Sequence, residues 1–209
     1  MDSIELFWEE FRCSHASLLH PACEAVMDAL LVSLRRVDPR FYFHVGEHDE
    51  GQDLILSAEG HCDALPLLQD LHDRAPQVPS WDVVAAWDGD LLLGRRNSRL
   101  FPPDENGVVL WQLARSGDDL CVPREIDFSV VFDAAEDRRH FLATLEGEGL
   151  EGRETGDAAI PWDVTVSQRM LPTHANIGAF EERLYLLATP FGGRNDGWGC
   201  FQQGGQGQP

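Results

Sequence analysis

Trp162-Asp163-Val164-Thr165-Val166-Ser167-Gln168-Arg169-Met170 alternates apolar and polar side chains. Such a run is a strand with one face buried. Leu171-Pro172-Thr173 breaks it, and Thr173 is a good N-cap for a helix carrying Ile177, Phe180, Leu184 and Leu187 on one face. After Gly192-Gly193, the segment Asp196 to Gln202 reads as a last strand, with Gly197 and Gly199 flanking Trp198. Working backwards, Ile126, Phe128, Val130 and Phe132 alternate with more polar residues as another half-buried strand. Asp133 and Glu136 form a capping-box-like start to a helix lined by Phe141, Leu142 and Leu145. Leu150 to Thr155 is a weak edge strand. The order β-α-β-β-α-β is the ferredoxin-like split arrangement, expected over residues 125–202, with a Gly/Gln tail at 203–209 expected to be disordered.

The N-terminal part has a different order. Ser3 to about His20 is a helix with Leu6, Phe7, Phe11, Leu18 and Leu19 as its apolar stripe. Pro21 suits the first position of a second helix, which buries Val26, Leu30, Leu31 and Leu34 and stops at Asp38-Pro39. Phe41 to Val45 and Asp53 to Ala58 read as a hairpin, followed by a short helix from Asp63 to Arg74 and a strand from Trp81 to Trp87. This α-α-β-β-α-β order predicts helices on an antiparallel sheet. The chain is therefore expected to be α+β with two domains, 1–120 and 125–202, divided somewhere between 88 and 124. Within that span, Val108–Leu113 and Leu120–Val122 look like a short hairpin around Ser116-Gly117-Asp118.

The net charge is −20, and all sixteen basic residues are arginine. Residues 1–124 hold 22 acidic and 10 basic side chains, residues 125–209 hold 14 and 6, so the charge is spread along the chain. Such a surface repels phosphate backbones, which disfavours direct nucleic-acid binding, and steers toward basic partners. Simple solubility is the commoner reason for it. No apolar run reaches the ~20 residues needed to cross a bilayer. The N-terminus carries Asp2, Glu5, Glu9 and Glu10, unlike the start of a signal peptide, so a cytoplasmic location is expected. Five irregularly spaced cysteines without a Cys-x-x-Cys suggest buried free thiols in a reducing compartment.

Residues 126–202 resemble the regulator of ribonuclease E activity B family. The resemblance is carried by the strand Trp162 to Ser167, Arg169-Met170, Pro172-Thr173-His174-Ala175, and the ending Gly193, Asp196-Gly197-Trp198-Gly199-Cys200. It implies a ferredoxin-like fold and a protein that is not an enzyme but binds and inhibits or modulates bacterial ribonuclease E, affecting RNA degradation. Residues 1–87 are similar to a separate bacterial family of unknown function, through Phe7-Trp8, Phe11, Ser57-Ala58-Glu59-Gly60, Ala75-Pro76, Trp81 and Val83-Val84-Ala85. That likeness brings no sites.

Arg169, Met170, Thr173, His174, Asp196 and Trp198 are the candidate partner-binding residues. Each has an ordinary structural alternative: His174 as a locally bonded first-turn residue, Trp198 packed under the second helix, Arg169 paired within its own sheet. Cys13, His15, His20 and Cys23 fall close together, but their spacing is not that of a zinc site, and His44, His48, Asp49 and Glu50 have no spacing to support them either. No metal, cofactor or catalytic residue is expected. The sequence has no nucleophile elbow, Walker loop, Gly-x-Gly-x-x-Gly after a strand, or His-Glu-x-x-His. The leading expectation is a regulator that contacts ribonuclease E through a basic segment of that enzyme. The alternative is a small-molecule sensor or an enzyme of another kind, with a pocket between the domains.

Overall fold

A computed structural model describes residues 2–20, 23–48, 50–155 and 162–204. Its contacts divide into Met1–Asn97 and Ser98–Pro209. Pro21, Asp49 and residues 205–209, on which expectations were placed, lie outside the described residues.

In the first unit, α1 (Ser3–Leu18) starts at Asp2, whose side chain accepts from the Glu5 amide while Glu5 reaches back to the Asp2 amide, a complete capping box. Its apolar stripe buries Ile4, Phe7, Trp8, Phe11 and Leu18, whereas Leu19 lies beyond the helix and is exposed. The second helix, α2 (Glu24–Val37), packs on α1, and β1 (Tyr42–His48) and β2 (Gly51–Ser57) form the expected hairpin. α3 (Leu65–Asp73) carries Pro66 in its first turn, where no helical hydrogen bond is lost.

The sheet corrects one expectation. β3 (Trp81–Ala86) pairs with β2 in parallel, so the order β1-β2-β3 is a mixed sheet and not an antiparallel one. The cause is α3: a helix between two neighbouring strands returns the chain to the starting end of the sheet, and the second strand then runs the same way as the first. Phe43, Leu54, Leu56 and Trp81 share the face that packs with Phe7, Phe11, Leu34 and Leu71 into one core. A short helix, α4 (Gly89–Leu92), follows, and Gly89 lies so close to His44 that a Cβ there would meet the imidazole at 2.3 Å.

The second unit opens with a helix, α5 (Glu105–Arg115), where a hairpin was expected. Asp104 caps it, accepting from the Gly107 amide at 2.8 Å. Then follow β4 (Arg124–Val131), α6 (Ala135–Gly147), β5 (Gly152–Thr155), β6 (Asp163–Met170), α7 (His174–Ala188) and β7 (Arg194–Cys200). The sheet order is β5-β6-β4-β7, all pairs antiparallel, with β4 and β6 at the centre. This is the split arrangement expected from the element order. Ile126, Phe128, Val130, Val164 and Val166 are buried on the helix side, with Phe141, Ile177, Phe180 and Leu184 supplied by the helices.

Three local expectations differ. The α6 N-cap is Ala134, which has no side chain to give, while Asp133 is spent on an ion pair with Arg194 at 3.0 Å. β7 begins at Arg194 and ends at Cys200, leaving Phe201 exposed. Gln203 and Gly204, expected in the disordered tail, instead pair with the loop before β4: the Gln203 carbonyl accepts from the Asp119 amide at 2.9 Å, and Gly204 bridges to Asp118. That loop is fixed from inside by Arg124, which is buried and ion-paired with the fully buried Asp118 side chain.

Candidate functional site on the C-terminal domain

Thr173 does what its residue type predicts. Its hydroxyl accepts from the Asn176 amide at 3.2 Å and sets the start of α7. His174 is the first helical residue, and its Nε2 lies 2.7 Å from Asp104 Oδ2. Since Asp104 also caps α5, one carboxylate joins the N-termini of two helices.

Trp198 is tied to the same helix. On β7 it stands opposite Phe128, and cross-strand partners point to the same face, so Trp198 lies on the helix side of the sheet. Its indole N–H donates to Asn106 Oδ1 at 2.7 Å, and the Asn106 amide donates to the Glu181 carboxylate on α7. Asn195 completes the group by donating to the Glu181 carbonyl at 2.8 Å. Two of the candidate residues, His174 and Trp198, thus reach α5 through Asp104 and Asn106; His174 bonds across 70 positions and not locally, as its ordinary alternative had it. The packing of α5 on α7 puts Gly107, Leu110 and Ala114 on the buried side and leaves Val108 and Val109 partly exposed.

The other four candidates are placed differently. Arg169 is exposed and stands opposite Glu125 in register, without an ion pair among the described residues. Met170 is half-buried opposite Arg124. Asp196 is exposed at the irregularity where β7 slips against β4, between the pairs Phe128–Trp198 and Val130–Asn195. Gly197 there has φ +99°, a conformation a side chain would resist, which is the bulge suggested by the glycines around Trp198. Thr173 is half-buried and its hydroxyl is engaged in the cap.

The sheet face away from the helices is polar and internally bonded. The Ser167 hydroxyl donates to Asp127, Arg153 donates to Ser167 Oγ at 3.0 Å, and the Ser129 hydroxyl donates to Asp163 at 2.6 Å. No aromatic side chain from β4 or β6 lies on this face to stack on a base. On α7 the outer side presents Glu182, Tyr185 and Leu186 to solvent.

Thiol chemistry is not favoured at Cys200. Burial pushes its thiol pKa above the ordinary value, and Arg124 opposes that only in part, so the unreactive protonated form dominates at neutral pH. The expectation of buried free thiols holds only in part: Cys13, Cys23 and Cys200 are free, but Cys13 is exposed and the other two are half-buried. His15, part of the N-terminal Cys/His group, turns Nδ1 to the Arg12 carbonyl at 3.0 Å.

Sequence reading missed α5 and its polar partners Asp104, Asn106 and Glu181. The available signal was Pro102-Pro103 followed by Asp104 and Glu105, a helix start in residue type. None of the described helices is long and apolar enough to cross a membrane.

Residues 103–200 match the family model described as regulator of ribonuclease activity B. The match begins just before the α5 cap and ends with the last residue of β7, so α5 belongs to the matched domain. By its description, that family regulates a ribonuclease activity. No curated protein matches the chain.

Proposed function

We propose that this chain regulates bacterial ribonuclease E by direct protein contact through its C-terminal domain, and so alters RNA degradation without catalysing a reaction. The observation that carries this reading is the match of residues 103–200 to the regulator of ribonuclease activity B family, which spans the whole domain from α5 to β7. The charge supports it further: a chain of net −20 with no lysine favours encounter with a basic, arginine-rich segment of the enzyme over contact with RNA itself. Of the candidate residues, Arg169 and Asp196 are exposed for direct contact. Thr173, His174 and Trp198 hold the surface in shape through α5 and α7.

The test is retention of ribonuclease E on the immobilised full chain across a salt series, with RNA cleavage measured in parallel. Retention at low salt that weakens as salt screens the charges, together with slower cleavage, is the expected result. Absence of retention at low salt and an unchanged cleavage rate would remove the proposal.

A further inference from the structure

We infer that the N-terminal domain carries a binding site for a divalent transition-metal cation of the zinc type, formed by His48, Asp53 and Asp82. The three residues come from three adjacent strands. Asp53 on β2 is the register partner of Asp82 on β3 and of Gly46 on β1, and His48 is two residues beyond Gly46. Side chains two apart on a strand share a face, so all three project from the side of the sheet opposite the Phe43–Leu54–Trp81 core.

Their ligand atoms converge. His48 Nε2 lies 3.2 Å from Asp82 Oδ2 and 3.9 Å from Asp53 Oδ1, and all three atoms lie within 4.8 Å of one another. Ligand atoms about 2.0–2.2 Å from a tetrahedral cation are roughly 3.3–3.6 Å apart, so little movement is needed to close the group around an ion. One imidazole nitrogen and two carboxylates suit a borderline divalent ion and leave a fourth position open to water. An open groove of about 630 Å³ runs past His48, Glu50, Ser80 and Asp82 and gives access; no arginine is among the described residues that line it.

The backbone fixes the arrangement. Gly51, the first residue of β2, approaches β3 so closely that a Cβ would lie 2.4 Å from the Ser80 carbonyl oxygen, and the Gln52 amide donates to that oxygen at 2.9 Å. Ser80 is held at φ +62°. These contacts bring the start of β3, and with it Asp82, beside His48.

Binding has a specific consequence at His48. The Glu50 amide donates to Nδ1 at 3.2 Å, so in the neutral ring the proton sits on Nε2, facing the carboxylates. A cation at Nε2 leaves the ring proton on Nδ1, and the Glu50 amide loses its acceptor. A cation held loosely on surface carboxylates would do neither.

The experiment is zinc titration of the full chain by calorimetry, together with ¹⁵N NMR of the imidazoles and the Glu50 amide. Expected are one site that disappears in His48→Ala and weakens about tenfold or more in Asp82→Asn, a tautomer change at His48, and a shifted Glu50 amide. Circular dichroism of both variants shows whether the sheet is intact; if His48→Ala unfolds, His48→Gln and the NMR readout on the parent chain decide instead. No saturable zinc binding, binding that survives loss of His48, or binding without the tautomer change would overturn the inference.

Discussion

Replacing Arg124 by Met places one defined defect in the C-terminal domain. Arg124 and Asp118 are 3% and 0% exposed at the side chain. The guanidinium also donates to the Asp119 carbonyl and, through Nε, to the Val122 carbonyl at 3.2 Å. Asp118 Oδ1 in turn accepts from the Gln203 amide at 3.4 Å, so the ion pair organises both the loop before β4 and the returning C-terminal segment. Met fills much of the same volume but leaves the Asp118 carboxylate buried without a cation. Breaking a buried pair from one side costs about 3–5 kcal/mol, because the remaining charge keeps its desolvation penalty. With a urea dependence of about 2 kcal/mol per molar, this moves the unfolding midpoint down by roughly 2 M. The assay is urea unfolding read by hydrogen exchange of the β4 and β7 amides, which reports on this domain separately from the N-terminal one. Asp118→Asn combined with Arg124→Met removes the stranded charge and should recover a large part of the loss. A shift below about 0.5 M in the single variant, or no recovery in the double variant, would show that the pair is not the buried, mutually dependent contact described above.

Four further outcomes are expected. Gly107→Ala, a change that gains about 1 kcal/mol in an ordinary helix interior, should lower the melting temperature instead, since the new Cβ would lie 2.0 Å from the Pro102 carbonyl oxygen. Asp104→Ala removes the α5 cap and the His174 partner together, and should cost about 1–2 kcal/mol in chemical unfolding. Trp198→Phe loses the Asn106 bond together with the pyrrole half of the half-buried indole; about 1–2 kcal/mol by the same measurement is expected, with Asp196→Ala close to neutral. Acid titration should separate two carboxyls of opposite sign. The Arg40 side chain holds Asp38 below the usual carboxylate range, so its contribution is present above the unfolded pKa and lost as pH falls through the lower folded value. Burial raises Asp88, so its contribution is full below the unfolded pKa and lost as pH rises through the higher folded value. Asp38→Asn should therefore reduce the loss of stability on acidification, and Asp88→Asn should increase it.

Elements with strong periodicity are legible from residue spacing. β4, β6 and α7 bury large apolar side chains at regular spacing, and their order permits the ferredoxin-like sheet. The same was true of α1, where Phe7, Trp8 and Phe11 announce the buried side. α5 was not legible in this way. Its buried positions are Gly107, Leu110 and Ala114, and two of those three carry too little apolar surface to mark a face, while the adjacent β-branched pair Val108-Val109 favours a strand locally. Packing against α7 decides the helix. The direction of β3 and the partners of the candidate residues also follow from packing between distant segments. His174 meets Asp104 across 70 positions and Trp198 meets Asn106 across 92, distances over which no local pattern carries information. His48, Asp53 and Asp82 are likewise separated by a turn and a crossover helix, and the strand register is what sets them side by side. Periodicity reports which face of an element is buried; which polar groups then meet depends on how the faces are stacked, and that is a property of the folded chain.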